Sequence, residues 1–134
     1  MERKILAYGS LALLIFAMLA TCAHATWKPE FAQLSQETRD WYKSQEMMPA
    51  AQERLKTAWK SCCEHGDVVK TKFRVEEKKP YRDEWWYLDN EGNWKQVPPD
   101  VIHWEEHAPD GQPTLFMYIS NRWELCFYPP TDGN

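Results

Sequence analysis

The sequence holds 134 residues, 16 of them basic and 20 acidic, for a formal net charge of −4. This length points to one domain. Its acidic balance and scattered cations exclude a role in binding nucleic acid or anionic lipid, which reward clustered positive charge. All eight tryptophans fall after residue 25, so the chain has ample apolar surface for a modest core.

The first 25 residues read as a signal peptide. Met1-Glu2-Arg3-Lys4 is a short basic start, residues 5–20 are an apolar run, and Ala23-His24-Ala25 fits the small-x-small rule for cleavage before Thr26. The apolar run is shorter than the ~20 residues a membrane span needs. A lipoprotein is the rival reading, because Leu19-Ala20-Thr21-Cys22 approximates a lipobox. Membrane attachment is therefore expected only through an uncleaved leader or a lipid on Cys22. Residues 26–134 form the single globular domain, exported to the periplasm or secreted.

Residues 30–45 carry Phe31, Leu34, Trp41 and Tyr42 near one helical face, and Ser35 offers a cap from which the helix would start late. Met47-Met48-Pro49 interrupts, and residues 50–60 are a second run of good helix formers. Ser61 onward ends it, with Gly66 available for a left-handed turn. The period then becomes two. Val69, Thr71, Phe73 and Val75 alternate with Lys70, Lys72, Arg74 and Glu76. Residues 84–88 hold Trp85, Trp86 and Tyr87, Asp89-Asn90-Glu91-Gly92-Asn93 is a hairpin turn, and residues 94–97 return. A short strand is expected over 101–105, and a last hairpin runs from 114–119 to 123–128. Short connections favour antiparallel neighbours. The expected fold is α+β, with one or two N-terminal helices packed on a five-stranded antiparallel meander.

In the last hairpin a three-residue loop puts Leu115, Met117, Ile119, Trp123, Leu125 and Phe127 on one face and Phe116, Tyr118, Glu124 and Cys126 on the other. Both faces are largely apolar, so this hairpin should be covered on both sides. Cys126 should face whichever layer carries Cys62 and Cys63. After leader cleavage these three cysteines remain, and an oxidising compartment favours pairing. Adjacent cysteines rarely bond each other, because the small ring strains the intervening peptide. The expected disulfide is Cys63–Cys126, with Cys62 as the alternative partner and the other thiol left over.

Trp41-Tyr42, Ser61-Cys62-Cys63 with Gly66-Asp67, Trp94 with Val97-Pro98 and Ile102, Phe116, and Cys126-Phe127-Tyr128-Pro129-Pro130 together resemble an uncharacterised family of small exported proteins of alphaproteobacteria and their phages. The resemblance spans residues 41–130. It implies an architecture in which the double cysteine and the final cysteine belong to one framework, and it brings no activity, cofactor or catalytic residue.

Four constellations bear on chemistry. Cys62, Cys63, His65 and Cys126 offer thiolates and an imidazole, but structural zinc sites space their cysteines more widely, and the disulfide competes. No metal or other cofactor is assigned. A left-over thiol at Cys62 or Cys63 beside His65 and Asp67 is the pattern of a thiol-dependent enzyme or redox protein, though no hydrolase signature accompanies it. The pairs Asp83-Glu84 and Glu105-Glu106 would point to opposite faces of a strand and cannot converge on one glycosidic bond. The fourth is aromatic. Trp85, Trp86, Trp94 and Trp104 lie in neighbouring strands, and any of them facing outward would suit stacking on a sugar or contact with a protein. No phosphate loop, dinucleotide fingerprint or catalytic triad is present. The reading is a non-enzymatic binding or interaction module of the envelope, with an envelope protein or glycan as partner and no catalytic residue assigned. The thiol reading is the alternative.

Overall fold

A computed structural model describes residues 32–118 and 120–131. The expected leader, its cleavage site and Cys22 lie outside the described residues. The helix α1 is Gln36–Ser44, and it does start late: the Ser35 hydroxyl accepts the Thr38 backbone N–H, and Glu37 sits in the first turn, where the helix dipole favours a negative charge. The helix α2, Pro49–Leu55, has proline in its first turn and ends where Lys56 turns left-handed at φ 54°. This excursion is closed at its base by a bridge between Glu46 and Ser61. A third helix, the single turn α3 (Cys62–His65), occupies the stretch read as a helix stop. The Ser61 hydroxyl caps it by accepting the Glu64 N–H.

The strands are β1 (Asp67–Val68), β2 (Phe73–Glu76), β3 (Glu84–Leu88), β4 (Trp94–Gln96), β5 (Thr114–Tyr118) and β6 (Trp123–Tyr128). The α+β class holds, but the five-stranded meander does not. The strands form two three-stranded antiparallel sheets, ordered β1-β5-β6 and β2-β3-β4. The run from Val69 to Glu76, read as one strand, is where the chain changes sheets. The Val69 N–H still donates to the Leu115 carbonyl, yet by Lys72 the carbonyl accepts the Leu88 N–H of the other sheet. Alternation with period two is identical on either side of that crossing, so the local pattern cannot reveal it. The strand expected over 101–105 is also absent. Pro98 and Pro99 fix the backbone into a 3₁₀ turn, Pro99–Val101. The chain then pairs with β6 through a parallel bridge of Ile102 with Phe127.

The β5–β6 hairpin is covered on both sides, and that sets the layers. One face presents Phe116, Cys126 and Tyr128 to the helices: Tyr42 meets Phe116 edge-on at 5.4 Å and Trp41 meets Tyr128 at 4.6 Å. The other face presents Phe127 to the second sheet, where Phe73 and Trp85 each lie 5.4 Å from it. A β-bulge shifts the register after Phe116, so that Met117 pairs with Glu124 and Tyr118 with Trp123. The straight register expected from sequence put Glu124 beside Cys126 and Trp123 beside Met117. The bulge exchanges them. Trp123 now joins Tyr118 at 5.9 Å, and Glu124 reaches the second sheet, where its Oε1 accepts the Tyr87 hydroxyl at 2.6 Å.

Candidate functional site

The double-cysteine stretch is built by the short helix α3. Its first residue, Cys62, bonds Cys126 with a Cα–Cα distance of 6.0 Å. The expected Cys63–Cys126 pairing is thus replaced by its alternative. The helical turn points Cys62 at the hairpin, and the next residue lies about 100° further round the axis. Cys63 is 2% exposed and is disulfide-bonded as well. No cysteine among the described residues is reduced. His65 stacks on Trp59, with ring centroids 4.0 Å apart. Asp67 opens β1 opposite Met117. No group of three or more metal-ligating side chains gathers among the described residues. Oxidised sulfurs and a stacked imidazole make this stretch a cross-link between the helical layer and the last strand.

Gly66, which follows α3, is not left-handed; its φ is −125°. It is small because of crowding. A Cβ there would lie 2.7 Å from the Cys62 carbonyl oxygen and 2.8 Å from Leu125 Cδ1.

The four candidate tryptophans do not form one site. Trp85, at 7% exposure, belongs to the core. Trp86 faces the other way, because alternate residues of β3 take opposite sides of the sheet. Across the ladder Trp86 pairs with Arg74 of β2 and with Gln96 of β4, while Trp94 pairs with Leu88. All of these lie on the outer face of the second sheet. The Arg74 guanidinium sits 5.3 Å from the Trp86 ring and 4.6 Å from the Trp94 ring, where the ring quadrupoles attract it. Around them Lys78 pairs with Glu76 and Glu84. The outer face of β2–β4 therefore carries two half-buried indoles holding one arginine, rimmed by self-compensated charges.

Trp104 lies apart, after the 3₁₀ turn. The guanidinium of Arg82 sits 5.2 Å from its ring. Both line an open groove of about 440 Å³ with Met47, Met48, Ile102 and His103. His103 stacks on Tyr128 at 4.4 Å. Burial holds the imidazole below the usual histidine range, against the opposing pull of Glu106, whose carboxylate is 3.8 Å from Nδ1.

Sequence reasoning missed Arg74 and Arg82. Arg74 stands at an outward position of an alternating strand, which is legible. Its placement between two indoles depends on the β2–β3–β4 register, which is not. Compared with models of protein families, with curated proteins and with solved structures, the chain matches none.

Proposed function

We propose that this protein is an exported, non-enzymatic binding module of the cell envelope, with the outer face of β2–β4 as its contact surface. The observation that carries the reading is Arg74 held between Trp86 and Trp94 on a face against which no other layer of the described residues packs. Aromatic and arginine side chains together are the residue types enriched at contact sites. The pre-stacked guanidinium loses little freedom when a ligand accepts its N–H groups. An envelope glycan or an envelope protein supplies both the stacking surface and the oxygen acceptors. The disulfide fits an oxidising compartment, and no helix among the described residues is long and apolar enough to cross a membrane.

The test is a titration of the labelled chain, read at the indole N–H resonances, with soluble peptidoglycan fragments in one arm and purified periplasmic proteins in the other. The expected result is a saturable shift confined to Trp86 and Trp94 in one arm, lost in Arg74→Ala. Silence of both indoles in both arms overturns the reading. Export is checked by intact mass on protein recovered from the periplasm. Cleavage after Ala25 removes Cys22 and leaves an odd number of cysteines, so one thiol per chain should alkylate once the chain is unfolded and reduced disulfides are excluded. The alternative, a thiol-dependent enzyme or redox protein using Cys62 or Cys63 with His65 and Asp67, would have to start from the one thiol that cleavage leaves, with Cys62 held by Cys126 and His65 stacked on Trp59.

A further inference from the structure

The edge strands of an open sheet turn unpaired backbone groups outward, and such edges recruit further strands unless something blocks them. Of the four edges here, three are short or closed. The strand β1 has two residues. On its far side β6 bridges Ile102, and the Phe127 carbonyl accepts the His103 N–H. The strand β4 has three residues and runs into Pro98 and Pro99. Its middle residue, Lys95, pairs with the buried Tyr87 and so turns a charge toward the inner face, a device that opposes the approach of another strand.

The edge of β2 is the open one. Its register with β3 matches Arg74 to Trp86 and Glu76 to Glu84, and the Leu88 N–H donates to the Lys72 carbonyl. Backbone direction alternates along a strand. Lys72, Arg74 and Glu76 therefore turn their backbone groups to β3, whereas Phe73 and Val75 aim theirs away from it. Neither Phe73 nor Val75 has a backbone hydrogen-bond partner among the described residues. Both side chains point inward and are half-buried, and no proline or inward charge interrupts them.

The charges say what fits this edge. On the outer face β2 carries Arg74 and, two residues on, Glu76. An antiparallel second copy centred on Val75 sets Val75 against its own counterpart, in the position where two residues exchange both backbone hydrogen bonds. The same register sets each Arg74 opposite Glu76 of the second copy. Sliding that copy by two residues either way keeps the backbone bonds but sets Arg74 against Arg74, or Glu76 against Glu76, and like charges directly opposite are destabilising. Arg74 and Glu76 already touch within their own strand at 3.5 Å, so the pairing demands no free charge and gives each a second opposite neighbour. Lys72 faces Lys78 of the second copy beyond the strand ends, where Glu76 and Glu84 compensate Lys78.

We infer that the protein self-associates through the free edge of β2, two copies meeting about a two-fold axis at Val75 so that their β2-β3-β4 sheets become one antiparallel sheet. The axis stands perpendicular to the sheet, so both outer faces lie on one side and the two Arg74 clusters become neighbours. The association needs no ligand and is independent of the binding role proposed for that face.

The test is sedimentation equilibrium of the full chain over a wide concentration range, with backbone amide exchange read alongside. N-ethylmaleimide is present throughout, so that no intermolecular disulfide contributes. A strand edge is a small contact, so the expected result is a reversible monomer–dimer equilibrium in which the Phe73 and Val75 amides gain protection as concentration rises. Val75→Pro removes an N–H that bonds nothing within the described chain, a position where an edge strand tolerates proline, and should raise the dissociation constant about tenfold or more. Arg74→Glu should weaken the dimer by setting like charges opposite, and adding Glu76→Arg should restore it. The charge variants alter side chains that are exposed or half-buried, so they decide the matter even where the proline variant does not fold. A monomer at every concentration, a dimer whose Phe73 and Val75 amides exchange freely, a dimer indifferent to Arg74→Glu, or a double variant that stays monomeric would each overturn the inference.

Discussion

The two sheets of this small protein are held in different ways. The sheet β1-β5-β6 is buried on both faces and covalently tied to the helices: Leu115, Phe116, Leu125, Cys126, Phe127 and Tyr128 are all essentially inaccessible. The sheet β2-β3-β4 is buried on one face only, through Phe73, Val75, Trp85 and Tyr87, and no disulfide among the described residues reaches it. The contrast separates the residues that make the fold from those the fold displays. In the first sheet every apolar side chain is used in packing. In the second, Trp86 and Trp94 lie on the side where no layer of the described residues is packed, so packing among those residues does not account for them.

The contrast breaks first at the disulfide. Linking Cys62 to Cys126 closes a loop of 64 residues, which the chain-entropy account values at about 4 kcal/mol. Domain stabilities run from about 5 to 15 kcal/mol. The paired variant Cys62→Ala/Cys126→Ala should therefore lose most of its stability in equilibrium urea unfolding. A midpoint close to that of the parent would show that the helical layer is held by packing alone.

Alkali should strike both sheets. Burial raises the phenol of Tyr42 to about 12, with Asp110 adding to it. Burial raises Tyr87 and Tyr128 further, aided by Glu124 and Glu106 respectively. In the unfolded chain these phenols titrate near 10. Above that pH the unfolded state binds fewer protons than the folded one, so stability falls as pH rises, by about 1 kcal/mol per tyrosine at pH 11. His103 acts at the other end. Its lowered value means stability that is present above about 6.5 and declines as pH falls below it. Unfolding free energies measured from pH 5 to 11 should form a plateau with a steep alkaline edge and a shallow acidic one.

Gly66→Ala tests the crowding between α3 and the bulged strand. The added methyl meets the backbone oxygen of Cys62 at 2.7 Å, and backbone cannot move aside as a side-chain end can. The expected loss is about 2 kcal/mol, typical of overpacking. Tyr87→Phe tests the link between the sheets. Its hydroxyl donates to a carboxylate, so removal should cost about 1.5 kcal/mol and flatten part of the alkaline edge. If Glu124→Gln matches it and the double variant is no worse, the bond is the only tie between those two residues.

Much of this arrangement is legible in the sequence. Ser35 marks the start of α1, and the apolar character of both hairpin faces at 114–118 and 123–128 places that hairpin between two layers. It also places Cys126 on the side of the double cysteine. Other parts are not legible, for physical reasons. Two strands in different sheets share one alternation across residues 69–76, so the crossing leaves no local mark. The bulge after Phe116 depends on long-range packing, yet it decides which way Trp123 and Glu124 face. Adjacent cysteines differ in direction only through the phase of α3, a single turn with no periodicity to read. The candidate site suffers most, because Arg74 meets Trp86 and Trp94 only through the register of three strands.

The smallest expected effect bears most on function. Arg74 is exposed, and its stacking on two indoles is worth about 0.5–1 kcal/mol at such a site. Arg74→Ala and Trp94→Ala should each shift the urea midpoint by less than any core change. If instead either variant destabilises as much as Gly66→Ala, the outer face is structural after all. The arginine would then be a clasp between β2 and β4, needed because a three-stranded sheet buried on one side has little else to hold its edges. If stability is barely altered while the Trp86 and Trp94 resonances lose their response to ligand, folding and binding are separable there. That outcome would locate function on the sheet that the core leaves uncovered.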